Sequence, residues 1–256
     1  MQVFDTHAHL NFPDYEQDWR EVWERAKQAG LVGAIIVGTD LATSKRGIEL
    51  AHELGVWASV GIHPNDAKQF AGEDWKRSIE EMVKDERVVA IGETGFDFYR
   101  QFTSRDEQLP LLEYFLDLAE REEKPALFHC REAYDDLSDV IKERKNVRAV
   151  IHAFGGDRDV AQKFLDRGLY LSFTAQVTYP KNQEAYASLL KSIPLDRILL
   201  ETDCPFLPPE GLRGQRNEPR HVDVIAERIA QLVEKPEEEV ANETTANAFR
   251  LFNLHG

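Results

Sequence analysis

The chain has 256 residues, 42% of them hydrophobic, with 31 Lys and Arg against 46 Asp and Glu and a formal net charge of -15. That length suffices for one barrel-sized domain, read as residues 1–256, and so acidic a chain disfavours a long electrostatic footprint on nucleic acid, though not a recessed cationic pocket. Two cysteines, Cys130 and Cys204, are too few for a disulfide scaffold and suit a reduced cytoplasm, while the absence of a leader pattern or an apolar run of roughly 18 residues predicts a soluble, cytoplasmic protein with no membrane contact.

Short β-rich runs begin near Val3 (VFDTH), Ala34 (AIIVG), Trp57 (WASVG), Val88 (VVAIG), Ala126 (ALFHC), Ala149 (AVIHA), Leu169 (LYLSF) and Ile198 (ILLETD). Helical patterns lie between them. DWREVWERAKQAG sets Trp19, Val22, Trp23 and Ala26 on one face and ends at Gly30, and TSKRGIELAHELG, DWKRSIEEMVK, LPLLEYFLDLAERE and VDVIAERIAQLV repeat the arrangement. Eight strands alternating with helices predict an α/β fold, a (β/α)8 TIM barrel. The rival, an open doubly wound sheet, would want a glycine-rich phosphate turn, and neither GxGxxG nor a Walker sequence occurs. After strand eight, CPFLPPEGLRGQRNEPRHV reads as a structured loop carrying Arg213, Arg216 and Arg220, and KPEEEVANETTANAFRLFNL reads as a closing helix packed on the barrel.

The polar residues fall where barrel active sites sit. Residues two apart in a strand share a face, so His7 and His9 converge at the end of strand one. Other strand ends bring His63 (strand three), Glu93 (four), His129 (five), His152 (six) and Asp203 (eight). His7, His9, His129, His152, Glu93 and Asp203 form a mixed imidazole and carboxylate set able to surround two divalent ions, with Glu93 as a bridge; Mg, Mn and Zn all suit it. His63 is left as a non-ligand that donates to a phosphate or protonates a leaving oxygen, or else steadies the turn before Pro64. Asp203 is the ligand able to take a proton from the attacking water, with capping of the turn at Pro205 as its alternative. Glu201, on the same face, is expected to orient a ligand or to pair with a buried basic group.

Arg131, two residues after His129, offers a guanidinium fork to phosphate oxygens, or a salt bridge to Glu132 or Asp97. The loop arginines, Arg216 among them, read as a polyanion landing site or as a loop clamped by Glu218. Cys130 and Cys204 each follow an inward-facing ligand by one residue and should point away from the ions. His52 and His255 are read as non-catalytic, and His221, near a helix start, as a cap or a solvent-facing group.

Together DTHAHL, GIHPNDA, GETGFDFY, FHCRE, HAFGG, ETDCP and RNEP, from residue 5 to about 219, resemble the TatD family of metal-dependent deoxyribonucleases within the amidohydrolase superfamily, and NETTANAFRLF resembles that family's final helix. The resemblance implies a TIM barrel with a two-metal centre that hydrolyses phosphodiesters. It makes His7, His9 and Asp203 ligands to one ion and His129 and His152 ligands to the other, with Glu93 bridging. It casts His63 and Arg131 as phosphate contacts and gives RNEP a part in shaping the pocket. Two departures are Asn65, where the family often has a histidine, and HAFGG in place of a common HCFSG.

The expected activity is therefore a metal-dependent exonuclease acting on DNA, single-stranded or at frayed ends, with Asp203, Glu93 and His63 as catalytic groups and His63, Arg131 and Arg216 on the substrate. No obligate protein partner is expected. The alternatives are hydrolysis of a carbonyl substrate, such as a D-aminoacyl-tRNA ester, small amide or lactone, and a barrel that keeps its metals only structurally.

Overall fold

The computed structural model describes residues 1–70, 72, 74–144 and 147–254, so His255 lies outside the described residues. Eight strands alternate with helices: β1 (Val3–Ala8), α1 (Trp19–Gln28), β2 (Leu31–Val37), α2 (Leu41–Leu54), β3 (Trp57–Val60), α3 (Asp74–Met82), β4 (Val88–Asp97), α4 (Arg105–Arg121), β5 (Ala126–Arg131), α5 (Tyr134–Lys142), β6 (Ala149–Ile151), α6 (Arg158–Leu165), β7 (Tyr170–Phe173), α7 (Gln183–Leu190), β8 (Ile198–Leu200) and α8 (Val222–Val233). A closing α9 (Glu237–Phe252) follows. The strands form one eight-stranded sheet in chain order, β1 through β8, the (β/α)8 barrel with a closing helix that the alternation predicts. No helix among the described residues is long and apolar enough to cross a membrane.

The chain divides into two compact units, a terminal one of residues 1–35 and 153–256 and a central one of residues 36–152. In the terminal unit β7 and β8 pair in parallel, Leu171 opposite Ile198 and Phe173 opposite Leu200. The first and last strands meet there too: the Asp203 amide donates to the His7 carbonyl and the His9 amide to the Cys204 carbonyl, both at 2.9 Å. Helix α1 buries Trp19, Val22, Trp23 and Ala26, the face its spacing predicts. Helices α8 and α9 bury Ile225, Ile229, Val240, Leu251 and Phe252, each such side chain contributing about 1.5–3 kcal/mol.

In the central unit β3, β4, β5 and β6 pair in parallel. Helix α2 starts at an Asp40–Thr43 capping box and stops at Gly55, whose φ of 71° needs no Cβ. Helix α4 begins at Arg105, earlier than its apolar run suggests, because the Ser104–Glu107 capping box sets its start. Glu93 and His129 stand inside β4 and β5, not after them as the sequence suggests, since these strands continue to Asp97 and Arg131. Between them the register slips: Ile91 faces Ala126, yet Thr94 faces Phe128. One extra β4 residue is accommodated, a bulge that re-aims the side chains around Glu93. Gly95 makes the close approach possible: at φ 143° a Cβ there would sit 1.9 Å from the His129 carbonyl oxygen.

Candidate metal centre

In the terminal unit the β1–β8 seam assembles one donor set. His7 and His9 are buried, and their Nε2 atoms stand 3.1 Å apart. Asp203 Oδ1 lies 3.5 Å from His9 Nε2 and 3.9 Å from His7 Nε2. Asp203 takes a left-handed backbone at φ 53°, which aspartate tolerates better than most residues. Ligands bonded at 2.0–2.2 Å to one ion lie roughly 3 to 4 Å from each other, so these three atoms fit a divalent cation.

The seam has its own supports. Buried Asp5 accepts from the His7 amide (3.2 Å), the Thr202 amide (2.9 Å) and the Thr202 hydroxyl (2.6 Å). Burial pushes its pKa up to about 7, with the Thr202 and His7 hydrogen bonds pulling the other way. Glu201, expected to steady a ligand, accepts from the Ala153 amide at 2.5 Å, fixing the residue after His152 in its left-handed turn at φ 45°. Asn217 holds the loop after β8. Its amide nitrogen donates to the carbonyls of Thr202, Phe206 and Leu207, its Oδ1 accepts from the Glu218 amide, and its own carbonyl accepts from the Tyr15 hydroxyl.

The loop arginines lie differently from the landing site suggested by the sequence. Arg216 forks onto Asp18, at 2.9 and 2.6 Å, so the fork offered to a phosphate is closed on a carboxylate. Glu218 pairs bidentately with Arg25, at 3.0 and 2.7 Å, and with Arg220 at 3.1 Å. Arg213 lies over the Tyr179 ring, 4.8 Å from its centre. The clamped-loop alternative describes this arrangement: ion pairs tie α1 to the loop.

The central unit carries a second donor set. Glu93 Oε1 is 2.8 Å from His129 Nδ1 and 3.2 Å from His152 Nε2, and the two ring nitrogens are 3.3 Å apart. Glu93, His129 and His152 form a group able to hold a metal ion. Burial works to raise the pKa of Glu93, but the surrounding imidazoles prevail, His152 above all, with hydrogen bonds from His129 and His152, and hold it well below the usual carboxylate range. The far nitrogen of His129 meets Asp97 Oδ2 at 3.1 Å, and Asp97 in turn accepts from the Arg100 amide and the Asn65 side chain. A carboxylate on the outer nitrogen fixes the ring and makes the inner nitrogen a better ligand. His129 is raised in pKa: burial opposes its charge, while Asp97 and Glu93 more than compensate.

His63 Nε2 lies 3.5 Å from Glu93 Oε1, while its Nδ1 accepts from the Asn65 amide at 3.1 Å. The neutral ring therefore carries its proton on Nε2. Burial and the neighbouring His129 lower its pKa to about 3, so it is a neutral hydrogen-bond donor and not a cation. Arg131 is exposed, with its guanidinium carbon 3.7 Å from the centre of the Tyr99 ring. Both cysteines are buried and unbridged; burial pushes Cys204 up to about 12 and Cys130 still higher, which leaves neither reactive. His52 pairs with Asp85 at 3.0 Å, and His221 is buried against Asn217 Oδ1 at 2.8 Å.

Sequence reasoning missed three supports: Asp97, Asp5 and Asn217. Period two gave a partial signal for two of them, since Asp5 shares a strand face with His7, and Asp97 stands four residues beyond Glu93.

The TatD related DNase family matches residues 4–253. The chain is 41% identical over 258 residues to the uncharacterized metal-dependent hydrolase YabD of Bacillus subtilis, covering 99% of this chain and 100% of that protein. It is 34% identical to the 3'-5' ssDNA/RNA exonuclease TatD of Erwinia tasmaniensis, over 98% of this chain and 100% of the relative. The crystal structure of YJJV, a TatD homolog from Escherichia coli, superposes with a TM-score of 0.88 at 29% identity, covering 99% of this chain and 98% of that one.

Proposed function

The chain belongs to the family of TatD related DNases, and from that premise we propose that it is a metal-dependent exonuclease that removes nucleotides from the 3′ end of single-stranded DNA or RNA. The observation that carries the reading is the pair of donor sets, His7, His9 and Asp203 in the terminal unit and Glu93, His129 and His152 in the central one, whose atoms have the spacing of ligands about an ion. Each set would hold one divalent ion, Mg, Mn or Zn, with Glu93 supplying the carboxylate of the central set. Such ions lower the pKa of water and offset the charge that builds on a phosphate in hydrolysis.

The chain's own side chains supply the rest. The Asp203 side chain keeps 14% of its surface exposed while that of His7 is sealed at 0%, so Asp203 is the member of its set that reaches solvent and can take a proton from the incoming water. His63 donates its Nε2 proton to a phosphate oxygen, and Arg131 balances the negative charge that grows there. Arg216 acts on the substrate only through the loop it braces. Two free buried thiols support a reducing, cytoplasmic location.

The test is digestion of single-stranded DNA labelled at either end by protein stripped with chelator and reloaded with Mg, Mn or Zn. Stepwise loss from the 3′ end is expected, with Glu93→Gln and Asp203→Asn each lowering the rate at least a hundredfold. Intact DNA with every ion would refute the reading, and turnover of an aminoacyl ester instead would replace it.

A further inference from the structure

We propose that Tyr99 and Phe102, on the loop between β4 and α4, form a stacking ledge for a base of the single-stranded substrate, with Arg131 and Arg100 beside it for the adjoining phosphates. This rests on the nuclease reading above and names a subsite for it.

The two rings are 49% and 67% exposed; Phe206, at 51%, is the other exposed aromatic ring among the described residues, and it comes from the loop after β8. Lone apolar residues on a surface are ordinary. Two rings within four residues, with a guanidinium carbon 3.7 Å from the Tyr99 centroid (Arg131) and another at 5.9 Å (Arg100), are a different case. Sites for single strands combine aromatic faces for the bases with cations that follow the backbone. Phe102 also borders a shallow groove of about 530 Å³ with Phe98, Gln101, Ser104 and Arg105. On a chain of net charge -15, a local pair of arginines over a ring complements a polyanion bearing flat bases.

The ledge is held in place before any substrate arrives. The Phe98 amide donates to the Arg131 carbonyl at 3.0 Å, and the Arg100 amide to Asp97 Oδ1 at 2.8 Å. The Thr103 hydroxyl donates to the Pro64 carbonyl at 2.8 Å, and the Gln108 side chain to the Thr103 carbonyl at 3.1 Å. Little ordering entropy then remains to be lost on binding. The same Asp97 touches His129 Nε2 at 3.1 Å, and Tyr99 follows it by two residues, so their Cα atoms are within roughly 7.6 Å. The ledge therefore begins two residues along the chain from the carboxylate that holds His129.

The test uses full-length, metal-loaded protein and a ten-residue oligothymidylate, intact or carrying one abasic residue at successive positions from the 3′ end. Replacing both rings (Tyr99→Ala with Phe102→Ala) is expected to raise KM about tenfold or more, the range of base–aromatic stacking, with kcat changed less than twofold; Tyr99→Phe keeps the wild-type KM. An abasic residue at one position should raise the wild-type KM similarly and add nothing in the double variant. An unchanged thermal midpoint would show that the exposed rings can be removed without unfolding. A double variant with wild-type KM, or a KM rise undiminished on every abasic substrate, overturns the ledge while leaving the nuclease intact. Wild-type protein that neither binds nor cuts the oligothymidylate overturns both.

Discussion

Asp5 does its work by accepting hydrogen bonds: its carboxylate joins the amides that precede two of the candidate ligands, His7's own and that of Thr202 before Asp203. With a folded pKa near 7 against an ordinary 3.8, the group favours the fold fully below about pH 4, and that contribution is lost as pH rises through 7. Replacing Asp5 with Asn keeps an acceptor for the amides and removes the titration. Urea unfolding of metal-free protein should then show the variant gaining stability relative to wild type between pH 4 and 8, by up to about 4 kcal/mol. Parallel stability curves would mean that the Asp5 carboxyl titrates near its ordinary value. Glu93 and Asp97, both held low, lose stabilisation in the opposite direction, as pH falls, and cancel from the comparison. None of this was legible in the residue string, because Asp5 and Thr202 meet across 197 positions.

Strands and helices were far easier to read than their supports. Every strand run was visible in the sequence, and the faces of α1 and α8 follow from apolar spacing alone. The start of α4 was missed because a polar capping box, not the apolar run, sets it. The β4 bulge was missed because a one-residue slip against β5 leaves no periodic trace; the positive φ of Gly92 and Gly95 marks it only once coordinates exist. The six candidate ligands stood out as polar residues in or just after the strands, whereas the ion pair of Arg216 left no trace because its partner, Asp18, comes from α1's cap some two hundred residues earlier. Gly95 gives the element-scale prediction. Gly95→Ala must drive a Cβ into the His129 carbonyl, so β4 and β5 have to separate, and a loss of about 3 kcal/mol or more is expected in chemical denaturation. An alanine variant of wild-type stability would show that the close approach is not required.

Across the whole molecule, an ion that binds only the native chain adds to its stability by mass action. Ion binding to the native chain alone should stabilise it by about 2.7 kcal/mol at a hundredfold excess over Kd, which for a chain of this size is a rise of about 5–10 °C in thermal midpoint. Calorimetry of chelator-treated and reloaded protein measures this directly, and coincident midpoints would argue against a tight ion. His129, raised in pKa beside Asp97 and Glu93, must give up its proton to a ligand bond, so the stabilisation should shrink as the pH is lowered.

The seam between the first and last strands also has a consequence for synthesis. His7 and His9 leave the ribosome nearly two hundred codons before Asp203, an interval of about 10–40 s at ordinary elongation rates. Throughout translation of that stretch the two imidazoles lack their carboxylate partner, so a prematurely terminated polypeptide ending before β8 cannot complete the terminal donor set.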